Sequence, residues 1–456
     1  MAGKTVKLMC TAAVVSAGLL NAPMVSAETL TDALIAAYKN SDLLVQNRAV
    51  LRATDETVAQ AVAGLRPVLA FIANYSHSNP ATSSLGNDIS TLELSASLTL
   101  YDFGHTRLGI EAAKENVLAT SAGLVGVEQQ VLLGAVTAYM GMRNAQEVVV
   151  LNQGNVAVLQ KELSATNDKF SVGEVTKTDV AIAQASLAAA QSQLTAAEGS
   201  LQVAREAYKV ATGVYPQNLS VPPRAPQLPK SINEAQMIAL RTSPTILQGQ
   251  HQVRAADLNT QYAESSVRPK IATTAQYGTN TNGKVGAAVG LSLTQPIYSG
   301  GQLNSLGRQA RANADAAKAG LMQTTLTTAQ TVANAWSQLN IARASIVADQ
   351  EQVRASQAAF DGVSEEAKLG SRTTLDVLTA EQTLLNAKAS LIAAETSQYI
   401  AVYSVLASVG LLTADHLKLG IPTYDPQAYF NAVHNAPALS PQGAKLDRIL
   451  KGLGNN

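Results

Sequence analysis

Two short turns between helices hold the side chains whose types and spacing could do chemistry. They cover residues 169–180 and 367–378, and each carries a glycine followed by threonines and an aspartate. The glycine suits the left-handed position that ends one helix, and a threonine can cap the free N–H groups of the next. An aspartate in a first helical turn complements the helix dipole. The turns thus predict electrostatic contacts at helix ends, with Thr176 or Thr178 as the first cap and Thr373 or Thr374 as the second.

The rest of the chain offers no arrangement typical of catalysis. Its five histidines, at positions 77, 105, 251, 416 and 434, are scattered without the spacing of metal ligands. No phosphate-binding loop, nucleophile elbow or pair of catalytic carboxylates stands out. We therefore expect a protein that is not an enzyme and that uses neither a metal nor another cofactor.

The first 27 residues are typical of a secretory signal peptide. Lys4 and Lys7 precede an apolar run over residues 8–20, and residues 25–27 are the small or branched residues of a cleavage site. Cleavage after residue 27 would remove Cys10, the only cysteine. The mature chain would then contain no disulfide, no thiolate metal site and no acyl anchor.

Charge and composition narrow the class of protein further. Loss of the two leader lysines leaves 31 basic residues against 33 acidic ones, a net charge near −2, so we expect no nucleic-acid partner. Only 4% of the residues are aromatic, which suits long helices packed through small side chains. No later stretch reaches 18 uncharged apolar residues, so a membrane span would have to be a β-barrel.

The mature chain is a tandem repeat. Residues 28–212 match residues 231–410, first at an offset of 202 and then at an offset of 197, with Arg-Pro and Asp-Val pairs in register. Five prolines make residues 213–230 an extended linker. Residues 411–456 lack a lasting period, and we expect a tail that is ordered at first and partly disordered.

Each repeat contains a predicted pair of strands, at about 68–101 and about 270–298. Leu92, Leu94 and Leu98 alternate with polar residues over roughly 10 positions, the length of an outer-membrane strand. Half-buried hairpins of a soluble sandwich would give the same alternation, but two hairpins are too few for a sandwich core. Four strands cannot close a barrel either, so several chains would share one. Two chains would give eight strands and three would give twelve, and the pattern does not choose.

Long helices fill the rest of each repeat, at 104–212 and 301–410. In the first repeat, apolar and small residues recur at steps of three and four from Val180 to Tyr208, which is a heptad seam. A helix over residues 105–167 would be on the order of 95 Å long. An antiparallel coiled-coil spacer explains the packing equally well, and the heptads alone leave open whether the coil is also a tube.

These features in this order resemble the TolC family of outer-membrane efflux proteins. Typical motifs are a Tyr-x-x-Gly after the second strand of each repeat, residues 295–301, and residues 369–378. The resemblance implies a membrane α+β fold in a homotrimer. Three chains would share a 12-stranded barrel in the outer-membrane lipid and a periplasmic tunnel of twelve helices. It also implies two partners, a periplasmic adaptor protein and an inner-membrane transporter.

The resemblance further assigns roles to the two turns. In the family's best-known member an arginine bonds a Thr-Asp pair on another helix and holds the tunnel tip shut, and an aspartate ring lines the constriction. Two positions depart from that pattern, because Ala367 replaces a gating tyrosine and Thr379 replaces a second ring aspartate. The implied residues are Arg372, Thr178 and Asp179 for the latch, Asp376 for the ring, and Val172, Gly173, Leu369 and Gly370 for the adaptor-docking tips.

The implied function is a gated passive channel. It would be the exit duct of a tripartite efflux system that exports drugs and other toxic small molecules from the periplasm or the pump. The outer-membrane component of a type I protein secretion system is the alternative within this class. A surface-exposed adhesive coiled coil and the periplasmic adaptor itself are further alternatives. Neither explains two amphipathic hairpins to which each coil returns.

Overall fold

The computed structural model describes residues 27–77, 88–281, 283–435 and 448. Residues 1–26 of the proposed 27-residue leader and most of the tail after residue 435 lie outside these residues. In the described part the elements follow the order helix, helix, strand, strand, helix, helix twice, and a short helix ends the series. They are α1 Leu30–Asn40, α2 Asp42–Ala63, β1 Val68–His77, β2 Asp88–Tyr101, α3 His105–Ser171, α4 Lys177–Thr212, α5 Ile232–Thr242, α6 Pro244–Ser265, β3 Lys270–Asn280, β4 Val285–Thr294, α7 Gln302–Lys368, α8 Thr374–Ser408 and α9 Pro426–Val433.

The four strands form one antiparallel sheet in the order β1-β2-β3-β4. The register sets Phe71 opposite Leu94 and Leu94 opposite Tyr277, so one apolar row crosses three strands. The prediction of four strands, two per repeat, is confirmed. Each outer strand, β1 and β4, has one edge that pairs with no other strand described in this chain.

The sheet exposes its apolar side chains. Leu92, Leu94 and Leu100 of β2 are about half exposed, while Glu93 and Ser95 on the other face are less so. A soluble sandwich has the opposite arrangement, because its apolar face is buried against a second sheet. All strands that the structure describes belong to this single sheet. The pattern therefore fits a sheet whose apolar face meets lipid.

The helices form one layer with two levels. Near the sheet, α3 packs against α2 and α6, and α6 packs against α7, which gives the order α2-α3-α6-α7. Farther away, α3 packs against α4 and α8, and α8 packs against α7, which gives α4-α3-α8-α7. Each level has four helices and two open edges. We call the level farther from the sheet the lower level; it contains the C-terminal halves of α3 and α7. Its two outer helices are α4 on one side and α7 on the other.

The two longest helices, α3 and α7, have 67 residues each. At 1.5 Å per residue they are about 100 Å long, and α3 spans the predicted 105–167. Neither contains a proline, and small residues allow close packing of their neighbours. By length and composition alone, α3 includes a stretch apolar enough to cross a membrane.

The main core lies where the linker crosses the helices. Tyr139 and Tyr208 are fully buried there, and the Tyr139 hydroxyl lies 2.8 Å from the Ser220 carbonyl oxygen. The linker also bridges to the start of the chain, because the N–H of Glu28 donates to the Asn218 carbonyl at 2.8 Å. This proline-rich segment is thus pinned across α3 and α4 by specific hydrogen bonds.

The described part of the tail, up to residue 435, packs on the start of the chain. The Arg48 guanidinium lies between the rings of Tyr38 and Tyr424, 5.1 and 5.2 Å from their centroids. The Tyr429 hydroxyl lies 2.7 Å from a carboxylate oxygen of Glu56 on α2. Lack of a sequence period does not prevent order here, since the tail contributes aromatic side chains to a surface that already exists.

The helix α8 ends against the junction between α5 and α6. Gly410 has a φ of +83° and packs so closely on Thr242 that an added Cβ would lie 2.4 Å from its carbonyl oxygen. The Thr242 hydroxyl donates to the Val409 carbonyl at 2.6 Å. The two levels of the helical layer are joined here end to end.

Candidate functional site

The two helix turns at the far end of the lower level are built alike. In the first turn the N–H of Glu174 donates to the Lys169 carbonyl at 2.9 Å, across the left-handed Gly173. In the second, the N–H of Ser371 donates to the Glu366 carbonyl at 3.0 Å. These six-to-one bonds are the Schellman ending of a helix. Each turn reverses the chain within a few residues and starts the returning helix.

Reciprocal hydrogen bonds start both returning helices. The hydroxyl of Thr176 accepts from the N–H of Asp179 at 3.3 Å, and an Asp179 oxygen accepts from the N–H of Thr176 at 2.8 Å. Thr373 and Asp376 form the same pair at 3.2 and 3.0 Å. These are capping boxes. Of the alternatives that the sequence left open, the caps are Thr176 and Thr373, while Thr178 lies exposed in the first turn of α4.

The caps keep both aspartates ionised. Donation from the Thr176 hydroxyl, and then from its backbone N–H, lowers the pKa of Asp179. Donation from the backbone N–H and hydroxyl of Thr373 lowers the pKa of Asp376, with a smaller contribution from the nearby Arg372 charge. Each tip of the chain therefore presents a carboxylate at the start of a returning helix.

Arg372 has a partner within its own turn. Its Nε lies 2.8 Å from an Oε2 oxygen of Glu366, and both side chains are about half exposed. The structure of one chain does not pair Arg372 with Asp179, the partner that the resemblance implies. Arg372 belongs to the turn between α7 and α8, and Asp179 belongs to α4. Among the described residues no hydrogen bond or ion pair joins Arg372 to Asp179, so a contact between them in neighbouring chains stays a prediction.

Both residues keep free hydrogen-bonding capacity for such a contact. Asp179 uses Oδ2 in its capping box, and Arg372 uses Nε toward Glu366. In the described chain, Asp179 Oδ1 and the two terminal nitrogens of Arg372 have no hydrogen-bond partner. A guanidinium presents several donors in one plane, so it can hold Glu366 and a second carboxylate together.

Apolar side chains stand out at the tips. Val172 and Leu369 are 71% and 85% exposed, and Phe170 beside them is 45% exposed. Gly173 and Gly370 are the left-handed residues that place them at the outermost points. The Lys169 ammonium lies 3.4 Å from the Ala367 carbonyl oxygen and holds the two turns side by side. These side chains therefore form an exposed apolar patch beside the two glycine turns.

The two departures from the family pattern have local consequences. Ala367 offers only its carbonyl, which accepts from Lys169. The Thr379 hydroxyl donates to the Leu375 carbonyl within its own helix at 2.8 Å. Neither residue adds a charge to the tip, so Asp376 is the acid that α8 contributes there.

Sequence reasoning missed three residues near the tip. Glu366 and Lys169 occupy the same repeat position with opposite charges, a contrast that the offset of 197 makes visible. Glu381 stands where the first repeat has Gln184. It follows the seam residue Ala380, and a heptad pattern gives no sign of its burial.

Glu381 is a buried carboxyl group on α8. It is 7% exposed, and burial, followed by repulsion from Glu162, raises its pKa from 4.5 to about 7. Its folded pKa exceeds its ordinary value, so its contribution to stability is complete below pH 4.5 and is lost as the pH rises through about 7. Within the described residues, no group of three or more His, Cys, Asp or Glu side chains is arranged to hold a metal ion.

We expect Glu381→Gln to remove most of this pH dependence. The variant should gain on the order of 2–3 kcal/mol over the wild type at pH 8 and little at pH 4, since a neutral amide avoids the buried charge. Thermal unfolding followed by circular dichroism at both pH values measures the difference. Glu198→Gln, at an exposed position on α4, is the control. An equal gain at both pH values would contradict the buried ionisation.

Comparisons with known proteins agree with this architecture. A family model described as "Outer membrane efflux protein" matches residues 34–214 and 237–411. The outer membrane efflux protein BepC of Brucella suis biovar 1 (strain 1330) is 34% identical over 435 residues, which cover 94% of this chain and 95% of BepC. The outer membrane protein TolC of Escherichia coli (strain K12) is 27% identical over 414 residues, which cover 86% of this chain and 84% of TolC.

The fold is also that of a solved channel. The crystal structure of the Campylobacter jejuni CmeC outer membrane channel aligns with a TM-score of 0.75 at 18% identity, over 89% of each chain. The sequence relatives and the family model set the location as the outer membrane, with helices that extend into the periplasm. The chain belongs to the outer membrane efflux protein family.

Proposed function

We propose that three copies of this chain close into one conduit across the outer membrane and periplasm. The observation that carries the proposal is that both the sheet and the helical layer end in open edges. Unpaired strand edges in lipid are unfavourable, at several kcal/mol for each unsatisfied backbone group. Three copies would give twelve strands and, at each level, twelve helices. This number also agrees with the family resemblance.

The two outer edges of the helical layer, at α4 and α7, have complementary shapes. A groove of about 810 Å³ runs between α3 and α4, lined by small residues such as Gly134, Ala138 and Gly141. On the opposite edge, α7 exposes Met322 and Leu326, which are 70% and 67% exposed. Long apolar side chains on one edge and a small-residue groove beside the other allow close helix packing between neighbouring chains.

The periplasmic end of this conduit is a gate. Joining the α7 edge of one chain to the α4 edge of the next brings Arg372 to the Thr178-Asp179 pair, and three such links hold the tips inward. Each link is a charge-assisted hydrogen bond, partly exposed to water and so individually modest. Asp376 forms one ring of three carboxylates at the constriction. Without a tyrosine at 367 or an acid at 379, the latch has few contacts and the ring binds cations weakly.

The gate opens through its partners. A periplasmic adaptor docks at the tips formed by Val172, Gly173, Leu369 and Gly370, and favours the open arrangement. An inner-membrane transporter supplies the energy, and the channel itself is passive. Drugs and other toxic small molecules are the proposed cargo, since the matching family and BepC are both described as efflux proteins. Export of a protein in a type I secretion system is the second candidate.

Dye accumulation in living cells tests the cargo. Cells that lack this chain should accumulate ethidium several-fold above cells that carry it, and depletion of cellular energy should remove the difference. Fluorescence of the bound dye measures the accumulation. Equal accumulation in both strains, together with loss of one secreted protein, would instead favour type I secretion. Equal accumulation with an unchanged set of secreted proteins would contradict both candidates.

A further inference from the structure

A second candidate site lies between the helices of the lower level, on the sheet side of the two turns. A groove of about 390 Å³ opens where α3, α7 and α8 meet. Most of its lining is apolar and includes Val158 from α3, Phe360 from α7, and Leu384 and Leu385 from α8. All three helices belong to one chain, and the groove does not include the α4 edge. Its walls are therefore complete without a neighbouring copy.

One carboxylate in this apolar lining has no charged or hydrogen-bonding partner in the part of the chain that the structure describes. Glu381 lines the groove, is more than nine-tenths buried, and has no hydrogen-bond or ion-pair partner among the described residues. The charged groups near it are Glu162 from α3, which repels it, and Lys388, two turns farther along α8, which forms no ion pair with it. From α7 the groove receives the uncharged Gln357 and Phe360. A charge buried without a counter-ion is unfavourable.

We propose that this groove binds a small organic cation with an apolar body, and that Glu381 is its counter-ion. The cation replaces the missing partner of the carboxylate, and the apolar side chains cover the rest of the molecule. Phe360 offers an aromatic ring, which also attracts cations. The volume suits a molecule with one or two aromatic rings. Binding of the cation does not depend on the proposed function. Only the biological role of the site, on the route of exported cationic molecules, rests on it.

A proton competes with the cation for Glu381. Because its pKa is about 7, the carboxylate is about one-tenth ionised at pH 6 and about nine-tenths ionised at pH 8. A ligand that requires the ionised form should therefore bind about tenfold more tightly at pH 8. An anion of similar size should be rejected at both pH values, and a neutral analogue should show no such dependence.

Isothermal titration calorimetry on the purified full chain in a non-ionic detergent tests the site. The probe is benzyltrimethylammonium, with benzenesulfonate as the anion and benzyl alcohol as the neutral analogue. The wild type should bind the cation about tenfold more tightly at pH 8 than at pH 6. Glu381→Gln, which installs the residue of the first repeat, should lose at least tenfold in affinity at pH 8. Glu395→Gln should bind as the wild type does.

Three results would overturn the proposal: no binding of the cation at millimolar concentration, equal affinity at pH 6 and pH 8, or unchanged affinity in Glu381→Gln. The pH comparison uses the wild type alone, so it holds even if the variant folds poorly. Binding is measured without transport. Cation binding by a chain that does not lower dye accumulation would refute export and leave the site intact, whereas dye export without binding would refute only the site.

Discussion

Gly410→Ala should prevent assembly of the protein in the outer membrane. Gly410 needs a left-handed backbone, with a φ of +83°, and its added Cβ would lie 2.4 Å from the Thr242 carbonyl oxygen and 3.0 Å from the Ser243 nitrogen. Both neighbours are backbone atoms that cannot rotate away. The left-handed conformation and the forced backbone shift together should destabilise the fold by roughly 2–5 kcal/mol. The yield of folded protein extracted from the membrane and its melting temperature measure the loss.

The chain provides a close control for this substitution. Gly370 has a φ of +79°, but nothing lies within 4 Å of an added Cβ. Gly370→Ala therefore carries only the conformational cost of about 1–2 kcal/mol, and the protein should still assemble. If the two variants were equally stable, the contact between the end of α8 and Thr242 would not join the two levels of the helical layer.

Arg372→Ala should open the periplasmic gate. The substitution removes three guanidinium groups from the tip of the proposed trimer, and with them every link from Arg372 to Asp179. Each Asp179 carboxylate then has no positive charge opposite it on the neighbouring chain, and the tips of the three chains should separate. We expect the single-channel conductance in a planar bilayer to rise several-fold over a small wild-type value.

Glu366→Gln distinguishes the proposed link between chains from the ion pair within one turn. Glu366 pairs with Arg372 within one chain at 2.8 Å, so this variant breaks the local pair but leaves Arg372 available to Asp179. Its conductance should stay close to that of the wild type. A rise equal to that of Arg372→Ala would show that the local pair controls the tip. A large conductance that neither substitution changes would keep the channel and remove the latch.

The elements of the fold were predictable because their periods are strong. Heptad steps from Val180 to Tyr208 indicated a long packed helix, and α4 covers this whole stretch. Alternation from Leu92 to Leu100 indicated a strand, and β2 includes it. The turns were also predictable, since Gly173 and Gly370 interrupt otherwise continuous helical patterns. Which threonine caps each helix was not, because Thr176 and Thr178 differ only in the hydrogen bonds that the folded turn allows.

The site residues were harder to predict for a physical reason. The pairing of Arg372 with Glu366 depends on how the turn folds back, and the spacing of six residues is not a helical contact distance. Burial of Glu381 depends on α8 lying between α3 and α7, so that more of its surface is covered than a two-helix seam requires. The order of the tail depends on aromatic contacts such as Tyr424 with Arg48, which no local pattern encodes.

Electron cryo-microscopy of the full chain, purified in detergent without cross-linking, tests the central claim most directly. We predict a three-fold ring in which β4 of one chain pairs with β1 of the next, giving twelve strands, with α7 against the neighbouring α4 below. Such a ring would leave a continuous passage from the sheet to the tips. A stable single chain, a pair of chains, or a ring without a passage would contradict the proposed conduit.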